Sequence, residues 1–185
     1  MKLIVAITGA SGVVYGKRLL EELRNRNVET HLIISRAAEK VIESELGTPK
    51  EEIESFATYV YEVDDLRAPL VSGSFKTDGM VIIPCSMKTL AGIAHGYSSN
   101  LILRAADVAL KEKRKMVLVP RETPLNVVHL ENMLALAKQG VIILPAMPAF
   151  YHRPKETESV VNYVVGKVLD ILGLEHKLFE RWAGK

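Results

Sequence analysis

Cysteine is almost absent from this chain: Cys85 is the only one in 185 residues. One thiol excludes an internal disulfide framework and a multi-cysteine metal site, and it fits a reducing compartment. Charge of one sign is also lacking, because 24 Lys and Arg stand against 22 Asp and Glu. A net charge of +2 gives no basis for binding nucleic acid or an anionic membrane surface. No apolar run approaches the ~18 residues needed to cross a bilayer. The opening MKLIVAIT is too short an apolar stretch for a signal peptide and passes directly into a strand-like segment, so the expected location is the cytoplasm. Repeats and low-complexity tracts are missing too.

What is present is alternation. Hydrophobic content of 48% over this length suits a single domain with a sizeable core. Short β-branched runs at 2–8, 28–34, 58–63, 80–83, 116–119 and 141–144 read as strands. Segments with helical spacing at 13–26, 36–46, 86–94, 101–112, 126–138 and 156–172 lie between and after them, with a further turn or two near 49–55 and a long loop over 64–78. Strands that are apolar throughout and alternate with helices predict a parallel sheet covered on both faces, a doubly wound α/β fold of Rossmann-like or flavodoxin-like type. A closed eight-stranded barrel needs more chain than this.

Three of the strands run into proline, as VIIP at Pro84, VLVP at Pro120 and IILP at Pro145. Proline has no N–H for a sheet ladder, so each marks the expected stop of a strand. Just beyond come CSMKT, RETP and AMPAFYHR. Open α/β sheets bind ligands outside the carboxyl ends of their strands, so the unusual polar groups gather on the ligand edge.

Each motif carries two readings. TGASG after the first strand is either a tight turn with Ser11 as N-cap or a place where glycine backbone and helix N–H groups meet an anion. It has neither G-x-G-x-x-G nor G-x-x-x-x-G-K-[ST] spacing. Ser35-Arg36 after the second strand lacks the acid that a nicotinamide dinucleotide ribose requires, leaves room for a 2′-phosphate, and with Ser11 best suits a flavin mononucleotide, FMN. Ser86 can cap the helix that CSMKT opens. Cys85 is either a small buried hydrophobe or a nucleophile served by His129 or His152. His129-Leu130-Glu131 has the H-x-E form of a zinc deaminase, but no P-C-x-x-C follows it.

Arg104, Asp107 and Lys111 form one stripe of a helix, either solvated or aimed at a phosphate or a neighbouring subunit. Arg121 can grip a phosphate bidentately, and Glu122 in a partly dry cleft can trade protons; a surface ion pair is the plainer reading. Tyr151 offers a hydroxyl to a phosphate, or anchors its loop together with Phe150. Lys167 sits at the edge of an apolar helix face, snorkelling or reaching a phosphate.

Together ITGASGVVYGKRLL, SGSFKTDGMVIIPCSMKTLAGIAHG, NLILRAADVALKEKRKMVLVPRETP, PAMPAFYHRP and VVGKVLDILGL resemble the UbiX-type flavin prenyltransferase family from near residue 3 to near residue 174. The resemblance implies a single FMN-binding domain over 1–185, with the C-terminal helix and tail from about 155 packing on a neighbouring subunit. It implies a homo-oligomer, usually a dodecamer. The reaction it implies is metal-independent transfer of a dimethylallyl group from dimethylallyl phosphate to N5 and C6 of reduced FMN, giving prenylated FMN for a UbiD-type decarboxylase. No DDxxD motif is present, in keeping with that.

By the same resemblance Gly9, Ala10, Ser11, Ser35, Ser86, Met87, Lys88, Thr89 and Arg121 hold FMN. Arg104, Lys111, Arg121, Tyr151 and Lys167 hold the prenyl phosphate. Glu122, Ser11, Lys111, Tyr151 and Glu45 serve the chemistry, with Lys111, Arg121 and Glu122 reaching a site shared between subunits. The family commonly carries arginine where this chain has Lys167, which keeps the charge and loses the bidentate fork. The rival readings are an FMN-dependent cysteine decarboxylase of the same fold, a decarboxylase acting directly on aromatic acids, and a flavodoxin-like electron carrier without catalysis. Lys88-Thr89, RETP and PAFYHRP favour the transferase.

Overall fold

A computed structural model describes residues 1–184. Six parallel strands form one sheet: β1 (Lys2–Ile7), β2 (Glu29–Ile34), β3 (Tyr59–Tyr61), β4 (Gly79–Cys85), β5 (Lys115–Pro120) and β6 (Ile142–Ile143). Their order is 3-2-1-4-5-6, the doubly wound order whose switch point lies between β1 and β4. Around them run α1 (Val13–Asn25), α2 (Arg36–Leu46), α3 (Lys50–Glu54), α4 (Met87–Ala94), α5 (Leu101–Lys111), α6 (Val127–Lys138) and α7 (Thr157–Leu172). A short 3-10 turn, Pro69–Val71, interrupts the long loop after β3.

The strand alternation sorts the core into two layers. Leu3, Val5 and Ile7 of β1 face α1, α2 and α7, whereas Ile4 and Ala6 face the layer of α4, α5 and α6. On α7 the apolar positions Val161, Val164, Val165, Val168 and Leu169 are buried against the first layer. No helix is long and apolar enough to cross a membrane among the described residues.

Several strand boundaries differ from the sequence expectation, among them β3, which is Tyr59–Tyr61 rather than 58–63. β4 runs through Pro84 to Cys85 rather than stopping at the proline, and Pro120 is the last residue of β5. Only the N–H of Pro84 is missing: its carbonyl still accepts from the Thr8 N–H at 3.2 Å, and the β4–β5 register shifts between Ile82 and Cys85 to pass the ring. β6 is two residues long, not four, because it is an edge strand with only β5 to pair with.

The two flanks of the sheet are unequally covered. α6 buries only Asn132 and Leu136, and exposes Val127, Val128, Leu130 and Leu134. Met147 and Phe150, in the loop after β6, are exposed as well. Six large apolar side chains left in water along one flank are what a protein–protein contact requires.

Candidate functional site

At the switch point, β1 and β4 are tied together by one buried threonine. The Thr8 hydroxyl donates to the Pro84 carbonyl at 2.9 Å and accepts the Ser86 N–H at 2.8 Å. That pair of bonds fixes where the first turn of α4 begins. Ser86 then caps α4, its Oγ accepting from the Thr89 N–H at 3.3 Å, and Ser35 caps α2 in the same way through Ala38 at 3.1 Å. A cap satisfies one of the orphan amides, so the first-turn N–H groups of Arg36 and Ala37, and of Met87 and Lys88, keep no partner inside their helices. Two donor-rich helix ends with serine hydroxyls therefore flank the loop of Gly9, Ala10 and Ser11.

The first helix is built differently from the expectation. Its N-cap is Gly12, at φ +99°, not Ser11, which is exposed. The Glu45 carboxylate crosses from α2 to accept from the Gly12 N–H at 2.9 and 3.2 Å and from the Val13 N–H at 3.2 Å. An anion does sit at this helix end, as the positive end of the dipole favours, but it is the protein's own. Gly9 and Gly16 answer to packing: a Cβ on Gly9 would meet the Ala37 Cβ at 2.5 Å, and one on Gly16 the Ile83 carbonyl at 2.6 Å.

Arg121 joins this group from β5, its Nε donating to the Ser11 carbonyl at 3.2 Å. Tyr15, on the first turn of α1, lies close enough to feel the Arg121 charge, although burial dominates and raises its hydroxyl pKa. Glu122 follows Arg121 into the open, accepting only from the Thr123 N–H at 3.0 Å. Beside it is a cavity of ≈ 270 Å³ between the β5 and β6 loops, lined by Leu125, Met133, Pro145 and Met147 among others.

Cys85 points away from all this. It is fully buried, and desolvation pushes its thiol pKa well above the ordinary range. A thiol held neutral in the core is no nucleophile.

A second group forms around the loop after β6 and the chain's last residues. Tyr151 meets Trp182 edge-on at 5.7 Å and Tyr163 at 6.1 Å. Burial and the neighbouring Tyr163 raise the Tyr151 hydroxyl pKa, while Lys167 and Arg181 pull it the other way. Lys167 pairs with Asp170 at 3.6 Å, and Arg181 grips the same carboxylate at 2.7 and 3.3 Å. The Arg181 fork holds the Asp170 carboxyl below its usual range. Residues 173–184 fold back along their own α7, with Phe179 against Tyr163 at 4.8 Å.

Two further cations lie on α5. Arg104 pairs with Asp107 at 2.7 Å on α5, and Lys111 with Glu112 at 3.0 Å. Lys111 ends α5 just before β5 begins, and Glu122 lies just after β5 ends. Six strand residues separate those two edges by ~20 Å, so Lys111 does not join Glu122 within one chain. Thr8, Tyr15 and Trp182 were not singled out from the sequence. Only the position of Thr8, at the end of the first strand, held a signal.

A family model described as Flavoprotein matches residues 1–169. The flavin prenyltransferase UbiX of Methanocaldococcus jannaschii is 57% identical over 182 residues, covering 98% of each chain. The chain belongs to the UbiX-type flavin prenyltransferases. Solved UbiX relatives superpose over its whole length. A dodecameric FMN-dependent UbiX-like decarboxylase from Escherichia coli O157:H7 is 53% identical, with a TM-score of 0.98 and 100% of both chains covered. AnUbiX (PadA1), in complex with FMN and dimethylallyl pyrophosphate, is 46% identical, also at 0.98, covering 100% of this chain and 98% of the other. The peptidyl-cysteine decarboxylase EpiD, at 20% identity and a TM-score of 0.60 over 80% of this chain, shares the fold alone.

The switch-point residues of this chain carry donors of the kind that FMN takes. The capped α2 and α4 ends supply amide and hydroxyl donors for a phosphate and a polar chain, and Arg121 supplies a cation beside the Ser11 loop. Among the described residues no group of three or more His, Cys, Asp or Glu is placed to hold a metal ion.

Proposed function

We propose that this chain is a flavin prenyltransferase that moves a dimethylallyl group from dimethylallyl phosphate onto N5 and C6 of reduced FMN, without a metal, in the cytoplasm. The observation that carries this reading is the pairing of an FMN-type donor edge with a separate cationic and hydroxyl cluster, on a chain 57% identical to a flavin prenyltransferase. Reduced FMN supplies the nucleophilic ring positions.

The residues divide the remaining work. Ionising the allylic C–O bond places charge on the departing phosphate, and Lys111, Arg104, Tyr151 and Lys167 offset it. Glu122, whose carboxylate is held only by its neighbour's amide, takes the proton lost on ring closure and returns one to the phosphate. Ser11 relays that proton, and Glu45 holds the Ser11–Val13 turn in place by accepting its amides. Lys111 serves the site of another copy, since its own Glu122 is on the opposite edge. The exposed α6 flank supports the assembly, and the E. coli relative is dodecameric, so a dodecamer is the proposed form. A UbiD-type decarboxylase receives the product.

The description of that same relative as a decarboxylase raises the second reading. Cationic and hydroxyl groups suit the loss of phosphate better than the loss of carboxylate, and AnUbiX was captured with an allylic pyrophosphate. Anaerobic incubation with reduced FMN and either dimethylallyl phosphate or the pyrophosphate, followed by flavin mass measurement, decides the matter. The expected result is a flavin heavier by one five-carbon unit; an unchanged flavin mass with both donors would overturn the transferase reading.

A further inference from the structure

The chain has five histidines. Four use their ring nitrogens. His31 bonds Tyr61 and Glu29, each at 2.9 Å; His95 bonds Asn132 at 3.0 Å; His129 accepts from the Asn126 N–H at 3.4 Å; His176 bonds Asp170 at 3.1 Å and accepts from the Leu178 N–H at 3.2 Å. His152 is the exception. Both its nitrogens are screened from solvent and neither has a partner.

An imidazole in that state carries the full desolvation penalty of its polar atoms with nothing to offset it. A phenyl ring would fill the same space without that cost. The surroundings are made for such a ring: His152 lies flat on Tyr163, with centroids 5.5 Å apart and an interplanar angle of 5°, and edge-on to Tyr151 at 5.6 Å. Packing alone therefore does not account for the histidine.

The residue after it carries a second cost. Arg153 is held at φ +51°, in the left-handed region that residues with a Cβ seldom occupy. Strained backbone persists where the surroundings impose it, and it collects at ligand sites. An unpaired imidazole and a left-handed arginine are thus adjacent in one loop, and both belong to the wall of a cavity of ≈ 460 Å³ shared with Tyr151, Glu180, Arg181 and Trp182.

Resting on the transferase reading above, we propose that His152 is a further substrate-binding residue of the donor site, its imidazole taking a hydrogen bond to the phosphate of the allylic donor when that site fills. Two of the neighbouring cations, Lys167 and Arg181, are engaged with Asp170. His152 is an uncommitted donor beside them, and an imidazole can give an N–H to a phosphate oxygen whether neutral or charged. Filling the site exchanges an orphaned ring for a bonded one, so the donor gains affinity from relief of a cost carried by the unliganded loop.

The test is calorimetric titration of dimethylallyl phosphate into the full-length protein loaded with oxidised FMN, where binding is read without turnover. His152→Phe is expected to weaken donor binding about tenfold or more, with FMN affinity unchanged and Tm equal to or above wild type. His152→Gln, which keeps an amide donor, is expected to recover to within a few-fold. His152→Leu takes the place of the phenylalanine variant if that one does not fold. Wild-type donor affinity in any folded apolar variant would overturn the proposal. Failure of the wild-type protein itself to bind the donor would overturn the transferase reading instead.

Discussion

The β1/β4 flank of the sheet and the β5/β6 flank are built on different terms. Around β1 and β4 every piece is supplied within one chain: Thr8 ties the strands, Ser86 and Ser35 cap their helices, and Glu45 caps the third. Around β5 and β6 the strand is two residues long, α6 buries two side chains, and Glu122 has only its neighbour's amide to hold it. The first flank is complete within one chain. The second is not, with an apolar border and a cation, Lys111, on the wrong edge to help its own copy. The difference supports the proposal that FMN binding is a property of the chain, whereas transfer is a property of the assembly.

Variants on the two flanks should therefore fail in different ways. Glu122→Gln is expected to lower the prenylation rate ~10²–10⁴-fold while FMN binds as in wild type, measured by flavin mass and absorbance. The double change Leu130→Glu and Leu134→Glu should break the assembly into smaller species in sedimentation, with turnover down ~10²-fold or more as the cations of the second copy are lost. FMN affinity should survive it.

On the other flank, Thr8→Val leaves the Ser86 amide without its acceptor, an expected loss of ~1–3 kcal/mol in denaturant unfolding, with weaker FMN binding and an intact assembly. Cys85→Ser sharpens the comparison by doing little. Because the thiol is buried and held neutral, turnover should stay within about twofold, since a serine hydroxyl can donate to the Ser86 carbonyl that the thiol faces at 3.6 Å. Iodoacetamide should leave the folded wild-type protein unlabelled.

On the finished flank the local features were legible and the distant ones were not. Alternating periods gave the doubly wound sheet, and the serines of ISR and CSMKT are in cap position because caps are local chemistry, set within three residues. What sequence pattern did not hold was anything set by a distant partner. Glu45 at the start of α1 depends on α2 folding over it from 33 residues away. The glycines of TGASG look like a phosphate loop, yet Gly9 and Gly16 are required by Ala37 and Ile83. Pro84 looks like a strand stop, yet β4 continues through it. Lys111, Tyr151 and Lys167 were each legible as a possible phosphate contact, but only family resemblance joined them, since no local pattern ties three residues spread over 57 positions of chain to one ligand.

The claim that the second flank is completed by another copy is tested most directly by subunit mixing. Lys111→Ala and Glu122→Gln chains, each nearly inactive alone, are co-expressed with different tags, and the mixed assembly is isolated through both. If one site takes its Lys111 and its Glu122 from different copies, random assortment restores roughly a quarter of the sites in a symmetric oligomer, and prenylated FMN forms. If mixed assemblies are recovered and stay as inactive as their parents, both residues come from one copy and the account is contradicted.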